Sequence, residues 1–180
     1  MTLILGIVEN QKVIMGADNL VTSYPNSKYP LLSLCSTKLF RGPNFIIGYS
    51  GHFSVGNRIC RELVNNPLPE LTNDVSNDLE LLRKILLEVH DLSFDKNCLT
   101  SYLIGYAGAL YEASWANDIT MQKHIKDYAY IGAMAVCNKV LCEDYPNGFW
   151  QKDMIDIFKK VSENNSTVGF IDDKPMILTI

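Results

Sequence analysis

The stretch Thr2-Leu3-Ile4-Leu5-Gly6-Ile7-Val8-Glu9-Asn10-Gln11-Lys12-Val13-Ile14-Met15-Gly16-Ala17-Asp18 sets two almost continuously apolar runs on either side of a polar turn. Thr2–Val8 and Val13–Ala17 lack the apolar–polar alternation of a strand with one wet face. They predict strands in a sheet that is covered on both sides. Glu9-Asn10-Gln11 reads as a three-residue hairpin loop with Asn10 in the left-handed position. That register sets Thr2 directly across from Asp18, on the same face. A two-residue loop would move the pairing by one and turn Asp18 to the other face.

Outward from the hairpin, a Pro-containing loop (Ser23–Pro30) leads to two further strands, Lys38–Arg41 and Phe45–Tyr49, around Gly42-Pro43-Asn44. The period then changes. Phe53, Gly56, Cys60 and Leu63 recur at helical spacing until Asn65-Asn66-Pro67 stops them. Leu79, Leu82, Leu86 and Val89 form the apolar stripe of a second helix. Leu99–His124 returns to strand character, and Tyr128–Gly132 reads as one more short strand. Two helices follow, Ala133–Cys142 and Phe149–Val161, the second with Trp150, Met154, Ile157, Phe158 and Val161 on one face. Val168–Ile171 and Met176–Ile180 read as closing strands. Strand groups separated by helix pairs do not fit a regular βαβ alternation. They predict an α+β chain with two stacked sheets and a helix pair outside each, a four-layer αββα sandwich. No repeat or linker divides the chain, so residues 1–180 read as a single domain.

Composition narrows the function. The chain has 180 residues, 47% hydrophobic and 20% charged, the balance of one globular domain. Sixteen Lys+Arg against twenty Asp+Glu leave a net charge of −4, which argues against a nucleic-acid partner. No apolar run reaches the roughly 18–20 residues of a membrane span, and the opening residues lack the basic region of a signal peptide. A soluble, cytoplasmic protein is expected. The cysteines Cys35, Cys60, Cys98, Cys137 and Cys142 are scattered, with no Cys-x-x-Cys pair, and His52, His90 and His124 are equally dispersed. They predict buried, reduced thiols, with no metal site and no cofactor.

Thr2 follows the initiator methionine, and its small side chain favours trimming of Met1. A liberated threonine bears both a hydroxyl and an α-amine, whose reference pKa of roughly 7.7–8.0 leaves it partly neutral near physiological pH. The amine can take the hydroxyl proton as the oxygen attacks a carbonyl, so nucleophile and base belong to one residue. Taken singly, Thr2 is also an ordinary first-strand residue, Asp18 a strand-end turn residue and Lys38 a lysine on an edge strand. Four landmarks in order raise the chemical reading: Thr2 with its apolar run, Gly16-Ala17-Asp18 with a later Thr22, Lys38-Leu39-Phe40, and Gly48-Tyr49-Ser50-Gly51 running into a helix.

With these landmarks, in this order along essentially the whole chain, the sequence resembles the proteasome β-subunit and HslV-like family of N-terminal-nucleophile (Ntn) hydrolases. The resemblance implies an αββα Ntn fold and a threonine-type endopeptidase, without cofactor or metal, acting on peptides or unfolded proteins. It implies a homo-oligomeric ring, with an ATPase unfoldase as a possible partner. By position, it makes Thr2 the nucleophile, Lys38 the neighbouring cation and Asp18 the group that holds Lys38. Gly51 would donate its N–H to the oxyanion, and Thr22 would bind the substrate main chain as an added strand.

The chain departs from the family pattern at three places. Gly132-Ala133-Met134 stands where the family has Gly-Ser-Gly, so a supporting hydroxyl is absent. Near the C-terminus the family's Asp-x-x-Ser best matches Asn164 and Thr167, which replaces a carboxylate with an amide and keeps a hydroxyl. Leu20 stands where an Arg is usual. These losses keep two alternatives open: a catalytically silent, proteasome-like structural subunit, and a transpeptidase or ligase that passes the same acyl-enzyme to an amine.

Overall fold

The computed structural model describes residues 2–21, 34–72, 74–91, 98–116, 118–165, 168–169 and 175–180. The chain opens with Leu3–Glu9 (β1), Lys12–Ala17 (β2) and the short Leu20–Val21 (β3), which pairs with Leu34–Cys35 (β4). Leu39–Arg41 (β5) and Phe45–Gly51 (β6) lead into the helices Phe53–Leu63 (α1) and Val75–Asp91 (α2). A meander follows, of Thr100–Tyr106 (β7), Ala109–Trp115 (β8) and Ile119–Lys123 (β9), and then Tyr128–Gly132 (β10). Met134–Asp144 (α3), Met154–Asn164 (α4) and Met176–Thr179 (β11) complete the described elements.

Among the described residues the β3–β4 pair stands beside two larger antiparallel sheets, one of order β10-β1-β2-β11 and one of order β5-β6-β7-β8-β9. Three apolar clusters define the layers. Ile4, Val13, Met15, Ala17, Leu39, Ile46, Leu103, Leu110, Ala129 and Ile131 interleave between the sheets. Leu3, Leu5 and Ile7 project from the opposite face of β1 onto α3 and α4, where Cys137, Leu141, Met154, Ile157 and Phe158 meet them. The outer face of the second sheet packs Ile47, Tyr49, Tyr102 and Trp115 against Ile59 and Leu63 of α1 and Leu82 and Leu86 of α2. Both faces of β1 are thus buried, which is why its sequence does not alternate. The predicted four-layer αββα sandwich is the observed architecture.

The hairpin register differs from expectation. The loop has two residues, Asn10 and Gln11, both left-handed at φ 52° and 64°. Ile4 therefore pairs with Ala17 and Glu9 with Lys12. Positive φ at both central residues marks a primed turn, whose twist matches that of the flanking strands; without a glycine its sequence does not announce it. Asp18 consequently lies across from Leu3, not from Thr2.

Smaller differences have local causes. The fourth helix begins at Met154, after a 3-10 turn over Gln151–Asp153, because the Asp153 carboxylate folds back on the Trp150 N–H at 2.9 Å. Of the expected strand Val168–Ile171, Val168 and Gly169 are not in a strand, and the remainder lies outside the described residues. The Ser23–Pro30 loop also lies outside them. Cys60 and Cys137 are buried as expected, whereas Cys142 is exposed on α3. Among the described residues no helix is long and apolar enough to cross a membrane.

Candidate active site

β2 stops at Ala17, one residue before the shifted register would swing the Asp18 side chain toward the helices. Instead Asp18 turns its carboxylate into the plane of the sheet. Its backbone N–H donates to the Leu3 carbonyl at 3.2 Å, as a ladder residue would. The Leu3 N–H, however, donates to Asp18 Oδ1 at 2.8 Å, so a side-chain oxygen takes the place of a backbone carbonyl. The second oxygen, Oδ2, accepts from Lys38 Nζ at 2.8 Å. Lys38 Nζ also donates to the Leu20 carbonyl at 2.5 Å. The three-residue-loop geometry is therefore wrong, yet Asp18 still reaches the first residues of the chain by a different route.

Charge burial makes this pair unusual. Asp18 is 1% exposed and Lys38 2% exposed. Burial pushes the Asp18 carboxyl above the ordinary carboxylate value, and the Lys38 ammonium and the Leu3 N–H pull it back. Two charges taken out of water at such a depth cost several kcal/mol each unless paired and hydrogen-bonded. Here one ion pair and two backbone groups, the Leu3 N–H and the Leu20 carbonyl, supply that compensation.

Thr2 is buried at 8% exposure. The Ala133 N–H donates to its carbonyl at 2.8 Å, which extends the β1–β10 ladder by one residue beyond the Leu3–Gly132 pair. Side chains alternate along β1. Ile4 lies in the inter-sheet cluster, so Thr2, two residues earlier, is directed into the same layer. The neighbouring residue Leu3 is the one that bonds Asp18. Thr2 is thus directed into the inter-sheet layer one residue before the amide that the Asp18–Lys38 pair holds.

Gly51 ends β6 with φ +115°, and a Cβ there would collide with the Leu99 carbonyl, so the position needs glycine. The His52 N–H donates to the Leu99 carbonyl at 3.3 Å, and the Tyr49 N–H to the Lys38 carbonyl at 3.3 Å. The alternation of an antiparallel ladder then turns the Gly51 N–H away from β7, toward the side of Lys38. Gly132 is the second required glycine. At φ +98°, a Cβ there would collide with the Thr2 carbonyl and come within 2.7 Å of Ser50 Oγ.

Not every expected residue joins this group. Asn164 is exposed at the last position of α4, and its side-chain amide donates to the Lys160 carbonyl at 2.8 Å, an ordinary helix-end contact. Thr22 and Thr167 lie outside the described residues. His52 is the N-cap residue of α1, and its Nδ1 lies 3.1 Å from the Ser54 hydroxyl. Sequence reasoning overlooked Ser50, a buried hydroxyl at 8% exposure beside Gly132. Alternation along Phe45–Gly51 was the available signal, since it puts Ser50 on the inner face with Ile46 and Gly48.

No family model and no curated protein matches the sequence. Solved structures do match. Eukaryotic HslV from Trypanosoma brucei superposes with a TM-score of 0.64 at 13% identity, covering 98% of each chain. BPH from Thiobacillus denitrificans, solved in complex with epoxomicin, gives 0.65 at 12% identity over 99% of this chain and 97% of its own. Anbu from Pseudomonas aeruginosa, solved as a helical assembly, gives 0.65 at 12% identity over 99% of this chain and 80% of its own. Two stacked antiparallel sheets between helix pairs, superposable on these structures over nearly the full chain, give this protein the fold of the proteasome-like N-terminal-nucleophile hydrolases.

Proposed function

We propose that the chain is an N-terminal threonine peptidase that cleaves peptide bonds through an acyl-enzyme on Thr2 once Met1 has been removed. One observation carries the reading. A buried Lys38–Asp18 ion pair is hydrogen-bonded to the amide of Leu3, the residue directly after Thr2. A sheet end has no structural need for a buried charge pair, and apolar residues would fill the space at lower cost. A buried cation next to a nucleophile has a use: it favours the neutral amine and the developing oxyanion.

The steps follow from the groups present. The Thr2 hydroxyl oxygen attacks the substrate carbonyl carbon and its proton passes to the Thr2 α-amine. The carbonyl oxygen becomes an oxyanion, for which the Gly51 N–H is the donor. The tetrahedral adduct collapses, the C–N bond breaks, and the leaving amine takes the proton from the Thr2 ammonium. An ester between Thr2 and the acyl fragment remains. Water then attacks that ester, gives a proton to the α-amine, and releases the acid as the Thr2 oxygen recovers its hydrogen.

The reading includes self-association, as in the helical Anbu assembly, and a reducing compartment such as the cytoplasm, in keeping with free thiols at Cys60, Cys137 and Cys142. An unfoldase ATPase partner belongs to it only through the family resemblance. The test is intact mass before and after a peptide epoxyketone, the inhibitor class represented by the epoxomicin complex of the BPH neighbour. The expected result is protein beginning at Thr2 that gains one inhibitor mass, with no gain in Thr2→Ala. Retained Met1 overturns the proposal, as does a trimmed protein that stays unmodified; the latter leaves the silent subunit.

A further inference from the structure

We propose that Ser50 is a positioning residue of the Thr2 centre, its hydroxyl held against the α-amine that Met1 removal liberates. This inference rests on the peptidase reading for its use, but the placement of the hydroxyl stands on geometry. Ile46 and Gly48 of β6 face the inter-sheet layer, and a Cβ on Gly48 would fall 2.9 Å from Ile4 Cγ2. β6 therefore crosses directly beneath β1 at Ile4. Two residues further along each strand, in the direction of the site, stand Ser50 and Thr2. The space over Gly132 fixes their approach, because a single added methyl there would meet the Thr2 carbonyl on one side and Ser50 Oγ on the other.

The amine lies on the same side. In an extended residue the N–H and C=O point the same way, and the Thr2 carbonyl points at Ala133 of β10. Ser50 Oγ, 2.7 Å from the same added methyl that would meet that carbonyl, lies on the side to which the nitrogen points. A serine hydroxyl both donates and accepts, so it can hold the amine in its neutral form by donating to the lone pair, and in its charged form by accepting. Ser50 makes no hydrogen bond to another described side chain that competes for this role. Among the described residues the charged groups on the side of the amine are Asp18 and Lys38, which bond each other. Ala133, the β10 residue facing Thr2, has no hydroxyl, so on the described strands Ser50 is the hydroxyl next to this nitrogen.

The test uses trimmed wild-type protein, Ser50→Ala and Ser50→Thr. The primary measurement is NMR titration of the Thr2 α-amine. The hydrogen bond accepted from the charged amine is the stronger of the two, so the Ser50→Ala amine should titrate at least about 0.5 pH unit below wild type, and Ser50→Thr should return it. The second is the rate of epoxyketone adduct formation, expected to fall about 10–100-fold in Ser50→Ala, part of the roughly 100–10,000-fold that a positioned general base contributes, and to recover in Ser50→Thr. Thermal midpoints should match, because the substitution removes one atom without opening a large cavity. An unchanged amine titration in Ser50→Ala overturns the inference whatever the kinetics. If the amine shifts but even wild-type protein forms no adduct, Ser50 keeps its place and the peptidase reading falls.

Discussion

Asp18 and Lys38 hold opposite charges 2.8 Å apart with almost no contact with water. Removing one partner strands the other, a loss of about 3–5 kcal/mol for pairs this deep. Asp18→Asn should therefore lower the urea midpoint strongly. Asp18→Asn combined with Lys38→Met should recover much of that loss, because the orphaned ammonium goes with it. A double variant as unstable as the single one contradicts a buried pair. Gly132→Ala tests a different physical limit. The new methyl would occupy the Thr2 carbonyl's place on a backbone already at φ +98°, so a loss of more than about 3 kcal/mol is expected, read as a lowered melting temperature. At this scale the placement of Thr2, Asp18, Lys38 and Gly51 at or beside strand ends was legible in the order of residue types. How Asp18 reaches the site was not legible. It depends on the strand stopping one residue early, so that a carboxylate replaces a carbonyl in the ladder, and no residue pattern encodes that.

The β1–β2 hairpin shows how an element can be found correctly and still be misregistered. Apolar runs located both strands, but Asn10-Gln11 forms the primed turn without the glycine that normally signals it. Gln11 at φ 64° carries a left-handed cost of about 1–2 kcal/mol that glycine escapes. Gln11→Gly should raise the unfolding free energy by about 1 kcal/mol in equilibrium denaturation, with the register unchanged. A destabilised variant would mean that the Gln11 side chain contributes more than its backbone costs. The β8–β9 pair gives an acid-sensitive counterpart. Glu112 accepts from Gln122 Nε2, its cross-strand partner, and lies 3.1 Å from His124 Nε2. The His124 contact, ahead of that with Gln122, holds its carboxyl below the ordinary value of 4.5, against the effect of burial. Below 4.5 the unfolded chain thus takes up a proton that the native state resists. The stabilisation is complete above 4.5 and is lost as pH falls through the native value. Denaturant midpoints measured down that pH range should drop less steeply for Glu112→Gln than for wild type.

The candidate site spans both sheets: Thr2, Asp18 and Gly132 stand on or beside one, Lys38, Ser50 and Gly51 on or beside the other. It exists only while the layers stay together. The layer order was readable in the sequence because strands without polar alternation must be covered on both faces. The pairing of β10 with β1, and of β11 with β2, was not, since it joins segments far apart along the chain. The inter-sheet cluster binds the halves, and burial of each Leu or Ile in it contributes about 1.5–3 kcal/mol. Lost together, those residues outweigh the stability of a whole domain, about 5–15 kcal/mol. Neither half can then open alone. Two buried cysteines report on the two outer layers, Cys60 on α1 and Cys137 on α3. Burial pushes the Cys137 thiol up to about 12 and raises that of Cys60 as well, so both should be inert in the folded protein while exposed Cys142 reacts at once. Site-resolved labelling across a urea gradient should expose Cys60 and Cys137 at one common midpoint. If Cys137 labels at lower urea than Cys60, the helix pair α3–α4 and its sheet separate first, and Thr2 leaves the Lys38 side while the remaining half is still folded.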